Sequence, residues 1–84
     1  MQNVKETIYI FLLNEGTDCW RPAQGEKIDK DIYKVLPTED YNPSDEEWEF
    51  PPGSIVRCEK KKMRDGKNPE LIAVELIRQN SNLN

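Results

Sequence analysis

Residues 8–13 read Ile8-Tyr9-Ile10-Phe11-Leu12-Leu13, six apolar side chains in unbroken succession. The run is too short for a membrane helix, which needs about 20 apolar residues. Its preceding charge is mixed, unlike the basic flank of a secretory signal. As a strand it places Ile8, Ile10 and Leu12 on one face and Tyr9, Phe11 and Leu13 on the other. Both faces are apolar, so the strand is expected to be central or to offer its second face to a further contact. Asn14-Glu15-Gly16-Thr17-Asp18 is rich in turn formers and ends it.

Period two persists downstream. Cys19-Trp20-Arg21-Pro22-Ala23 reads as an edge or bulged strand, because Pro22 has no N–H to give to a central ladder. Gln24-Gly25-Glu26-Lys27 is expected to turn, Ile28 to begin a short extended piece, and Asp29-Lys30-Asp31 to turn again. Ile32–Leu36 forms a strand with Tyr33 and Val35 on the buried face, and Pro37 stops it. Residues 38–47 make the longest connection. Within Pro43–Trp48 one helical turn is expected, capped by Ser44 with Glu47 three residues on. Pro52-Gly53 suits the centre of a type II turn that launches a strand at Ile55.

The last hairpin has two candidate registers. A two-residue Asp65-Gly66 turn sets Val56 opposite Glu75 and mixes the faces. A three-residue Arg64-Asp65-Gly66 loop with Gly66 left-handed repairs this, pairing Val56 with Val74, Cys58 with Ile72 and Lys60 with Glu70. The three-residue loop is the expectation. About five strands with almost no helix bury one face best by curling. The fold class expected is therefore all-β, a small SH3-like barrel over residues 1–79, with at most one helical turn near residues 44–49 and a frayed tail at 80–84. An OB-like barrel ranks second, lacking a helix between its third and fourth strands.

The chain of 84 residues is 36% hydrophobic and 33% charged, with net charge −4. An acidic chain is a poor start for nucleic-acid binding, which draws on phosphate neutralisation. The charge is uneven: twelve acids against five bases up to Phe50 give −7, and four acids against seven bases beyond it give +3. Two cysteines without histidine fall short of the usual zinc set, so no metal or cofactor is expected. The expected compartment is the cytoplasm, with Cys19 and Cys58 reduced. No histidine, nucleophile motif or phosphate-binding glycine loop supports catalysis.

Two surfaces are candidates for a partner. The first joins Trp20, Arg21, Trp48 and Phe50 with Asp45, Glu46, Glu47 and Glu49. It would be an aromatic groove flanked by acids, suited to a basic protein. The competing expectation puts the aromatics in the core and the acids in a solvated loop. The second surface, for nucleic acid, uses Arg57, Lys60, Lys62 and Arg64, although strand lysines also guard edges. A third reading is an immunity or inhibitor protein whose acids cover a basic enzyme site.

The strings "LLNEGTDCWRPAQGEKIDKDIYKVL", "WEFPPGSIVRCE" and "LIAVEL" together resemble a loose group of small uncharacterised bacterial proteins. Their shared pattern is LL-x-EGT-x-x-WRP, then Tyr, then WEF-x-x-G-x-x-VRC, over about residues 8 to 77. The resemblance implies a standalone small β protein and transfers no catalytic or binding residue.

Overall fold

The computed structural model describes residues 4–62 and 68–79. Among the described residues six strands form: β1 (Lys5–Leu13), β2 (Cys19–Asp29), β3 (Ile32–Val35), β4 (Glu47–Trp48), β5 (Ser54–Lys62) and β6 (Pro69–Gln79). No helix occurs among the described residues, and so none long and apolar enough to cross a membrane. The sheet runs β2-β3-β5-β6-β1-β4, and the further β1–β2 pairing closes five of these strands into a ring. This is the all-β barrel that the apolar alternation predicts.

β1 is the strand on which the ring closes. One edge pairs antiparallel with β2 from Lys5↔Glu26 to Leu12↔Cys19. The other edge is shared. Its first half meets β6 in parallel at Ile8↔Leu71 and Tyr9↔Ile72, and its end takes β4 at Leu12↔Trp48 and Leu13↔Glu47. Ile8, Ile10 and Leu12 point into the barrel beside Val35, Val56 and Cys58. Tyr9, Phe11 and Leu13 therefore line the outside and are only half-buried.

β2 corrects the expected turn at residues 24–27, because the strand passes straight through it. Gly25 is there for close approach: a Cβ would lie 2.8 Å from Cδ1 of Ile8. The irregularity falls at Ile28 instead, bulged out between Lys27 and Asp29 and half exposed. Lys30-Asp31 then turns the chain, with Asp31 at φ 62°. Pro22 costs the ladder nothing. Lys27 N–H bonds Val4 on the β1 side, whereas the Gln24 carbonyl accepts Leu36 N–H on the other side. Alternation places the missing donor of Pro22 on the edge away from β1.

The β5–β6 register is also a correction. Val56 meets Leu76, Cys58 meets Ala73 and Lys60 meets Leu71, not the expected Val74, Ile72 and Glu70. Residues 58–62 keep the register of a two-residue turn. The faces are set right within β6, where register shifts skip Val74 and Ile77. A bulge adds one residue to one strand and restores inward alternation while coiling the pair. Val56 is fully buried, and Val74 stands half-buried outside the core cluster. The loop residues 64–66 lie outside the described residues.

The segment after β3 closes one end of the barrel. Ser44 does not cap its single turn. Asn42 does: its Oδ1 accepts Ser44 N–H at 2.9 Å, and its carbonyl accepts Asp45 and Glu46 N–H. Pro43 then occupies the first position of the turn, where its lost donor would have had no partner. Trp48 and Phe50, two apart, both point inward at 4% and 7% exposure. The Pro52-Gly53 turn is type II as expected, with Ser54 N–H bonded to Pro51 O and Gly53 at φ 96°.

Candidate functional site

The fold divides the first candidate surface between the inside and outside of the barrel. Trp20 and Arg21 are neighbours on a strand, so the pleat sends them to opposite sides. Arg21 lies opposite the core residue Ile10. It reaches the barrel mouth, where Nε donates to Oε1 of Glu46 at 3.1 Å and Nη2 donates to Oε2. Oε1 of Glu46 also accepts the indole N–H of Trp48 at 3.0 Å. Tyr41 packs edge-on against Trp48, centroids 4.8 Å apart. This assembly joins the long connection to β2 and gives the buried indole its acceptor. Burial takes Trp48 and Phe50 off the contact surface, and Glu46 is occupied by Arg21 and Trp48. Asp45 is exposed in the turn.

Trp20 faces outward and is 36% exposed. It stands opposite Phe11 and packs edge-on against it, centroids 5.0 Å apart at 66°. Pro22 continues the β2 side, opposite Tyr9, whose other neighbour is Ile72. Leu13 extends the β1 side. Glu47 and Glu49 alternate with the buried Trp48 and Phe50, so their exposed carboxylates flank β1 on the side away from Trp20. Glu47 is paired with Leu13 in register, and Glu49 N–H bonds the carbonyl of Phe11 at 2.9 Å. Thus Trp20, Glu47 and Glu49 of the expected set share a region, on a floor of Tyr9, Phe11 and Leu13. Those floor residues were missing from the set. Their signal was present in the apolar second face of IYIFLL.

A groove of about 430 Å³ opens at the end of this face. Its floor is Phe11, Leu12 and Leu13, and its rim carries Glu15 and Asp18 from the β1–β2 loop and Glu47 from β4. Asn14, left-handed at φ 61°, donates its side-chain amide to Glu47. A second groove, about 530 Å³, runs between Pro22 and Gln24 on β2 and Pro37–Asp40.

The basic hairpin is partly neutralised. Arg57 donates Nε to Glu75 at 2.8 Å and Nη1 to Glu59 at 2.6 Å. The Glu75 bond, then the Glu59 bond, hold the guanidinium charged well above its ordinary range. The same Arg57 bond keeps the Glu59 carboxyl below the usual carboxylate range. Lys61 lies 3.9 Å from Glu59. Lys60 and Lys62 are exposed, and alternation puts them on the opposite side from Arg57. Arg64 lies outside the described residues.

Cys19 and Cys58 are both free thiols. Burial, then the charge of Asp31, pushes the Cys58 thiol up to about 12, which favours the protonated thiol near neutral pH. Tyr33, also inside, has its phenol pushed up to about 12 by burial and by its 3.0 Å hydrogen bond to Glu6. Compared with protein-family models, curated proteins and solved structures, the chain finds no match.

Proposed function

We propose that this chain is a small, non-enzymatic β-barrel that binds another protein through the outward face of β1 and β2. The reading places it in the cytoplasm, where Cys19 and Cys58 stay reduced. It rests on one observation above others: Trp20 stands 36% exposed on Phe11, beside a strand whose outer side is apolar from Tyr9 to Leu13. A large aromatic left part-open within an apolar strip is the composition of an interface centre. Exposed acids border the strip, which favours a basic partner and repels acidic ones. An inhibitor covering a basic enzyme site is one form of this reading. Nucleic-acid binding ranks lower, because Arg57 is already engaged by two carboxylates.

The test is affinity capture from the native host, followed by titration of the purified captured protein. Trp20→Ala is expected to weaken that complex at least about tenfold, as truncation of a central aromatic does. Lys62→Ala is expected to leave it unchanged. Equal affinity for wild type and Trp20→Ala refutes the assigned face, and a loss confined to Lys60 and Lys62 variants moves the contact to the basic hairpin.

A further inference from the structure

We infer that the groove at the β1–β2 loop receives a lysine or arginine side chain of the partner, presented next to an aliphatic or aromatic residue. The inference rests on the docking face proposed above and names the chemistry that one part of it selects.

The groove joins two features that a cationic side chain needs together. Phe11 and Leu13 supply an apolar floor, and Glu15, Asp18 and Glu47 supply three carboxylates on its rim. None of its nine lining residues is Lys or Arg. The nearby cation on β2, Arg21, points to the other side of the strand and is bonded to Glu46. Lys5 lies at the far end of β1, opposite Glu26. The rim charge is therefore not compensated from either adjoining strand.

Local backbone builds the shape. Gly16 at φ 81° gives the loop a left-handed step that other residues resist. The Asn14 amide holds Glu47 at the groove. Each rim carboxylate alone would contribute little, since exposed pairs contribute roughly 0–1 kcal/mol. Three lining one concavity sum their potential there. A lysine or arginine stem covers the apolar floor while its charged head stays at the wet rim. A cation seated over the ring face of Phe11 gains a further attraction, which the ring edge does not offer. The adjacent residue of the partner then packs on Trp20. A carboxylate or phosphate ligand would meet three like charges.

Amide chemical shifts of the full chain, titrated with Ac-LKFKLK-NH2 and with its glutamine and glutamate counterparts, test this. The lysine peptide is expected to shift Phe11, Leu13, Gly16, Asp18 and Glu47, with affinity falling as salt is added. The glutamate peptide is expected to leave them in place. In the double variant Asp18→Asn, Glu47→Gln the lysine peptide should bind about fivefold or more weakly, from two lost rim charges. Both sites are exposed, and a dispersed spectrum shows the variant folded. The inference is overturned if the glutamine peptide binds as tightly as the lysine one, or if the double variant keeps full affinity. It is overturned equally if the lysine peptide moves none of these amides at roughly millimolar concentration. The first two results leave the docking face standing without its cation pocket. The face itself falls only if the captured partner also ignores Trp20→Ala.

Discussion

Two aromatic pairs in this barrel have nearly the same geometry and different surroundings. Tyr41 and Trp48 meet edge-on at 4.8 Å and 69°, and Phe11 and Trp20 meet edge-on at 5.0 Å and 66°. Trp48 is 4% exposed with its indole N–H bonded to Glu46, whereas Trp20 is 36% exposed. Ring geometry therefore does not distinguish a core pair from a contact pair. What distinguishes them is which side of the sheet the pleat presents and whether the polar edge of the ring is satisfied inside the chain. Trp48 has both marks of a core residue. Trp20 lies outside on β2, packed against the second apolar face of β1.

The largest effect that could break this contrast is loss of Trp48. Trp48→Ala empties the closed end of the barrel and should cost about 3–5 kcal/mol. In a domain this small that removes most of the stability, visible as a lost or strongly lowered thermal transition. Trp20→Ala should cost about 1 kcal/mol, nearer the range of surface changes. If the two variants melt together, the division into inside and outside is wrong.

Base titration addresses the interior next. The Cys58 thiol and Tyr33 phenol are both pushed up to about 12 in the fold, from ordinary values of 9.0 and 10.0. Between those limits the native chain holds protons that the unfolded chain has lost, so stability falls as pH rises. The contribution is whole below pH about 9 and declines by about 1.4 kcal/mol per pH unit for each group as it engages. Urea midpoints should be flat from neutral pH to about 9 and then drop. In Cys58→Ala the drop should begin near pH 10, with Tyr33 alone. A wild-type midpoint level up to pH 11 would mean that neither group is buried as described.

Much of the inner region was legible in the sequence. Period-two alternation correctly placed Tyr33, Val35 and Val56 inside. It grouped Ile8, Ile10 and Leu12 on one face of β1 without choosing that face over Tyr9, Phe11 and Leu13, because both are apolar. The spacing of Trp48 and Phe50 correctly gave them one face, but not which face, because a two-residue strand has too little pattern to orient itself. Gly25 looked like a turn residue, since a glycine's sequence context does not reveal that a distant Ile8 will fill its empty side. The bulges at Val74 and Ile77 were hidden for a related reason. A face mismatch can be repaired in the loop or in the strand, and alternation alone does not choose. Part of the outer site was legible in the sequence as well. Trp20 and Arg21, adjacent on one strand, cannot share a surface, and Tyr9, Phe11 and Leu13 already announced a second apolar face.

Glu46 sharpens the comparison at smaller scale. Glu46→Ala removes the acceptor of the Trp48 indole and the partner of Arg21 together, and should cost about 1–3 kcal/mol. Glu46→Gln keeps an acceptor for the indole, so its loss should be smaller, about 1 kcal/mol. Equal losses would show that the ion pair, not the satisfied indole, holds the long connection to the barrel. Urea melts of the two variants separate these outcomes.

The smallest effect is optical and concerns Trp20 directly. Trp20→Phe leaves Trp48 as the sole indole, and Trp48→Phe leaves Trp20. Acrylamide is uncharged and so is not repelled by Glu47 or Glu49. It should quench the Trp20 emission severalfold more steeply than that of Trp48, in line with their 36% and 4% exposure. Adding the captured partner should protect Trp20 and leave the Trp48 slope unchanged, because the buried indole already has its acceptor in Glu46. Protection of Trp48 instead would mean that the partner enters through the mouth of the barrel and displaces Arg21 from Glu46. The closed end, not the outer face, would then be the binding surface.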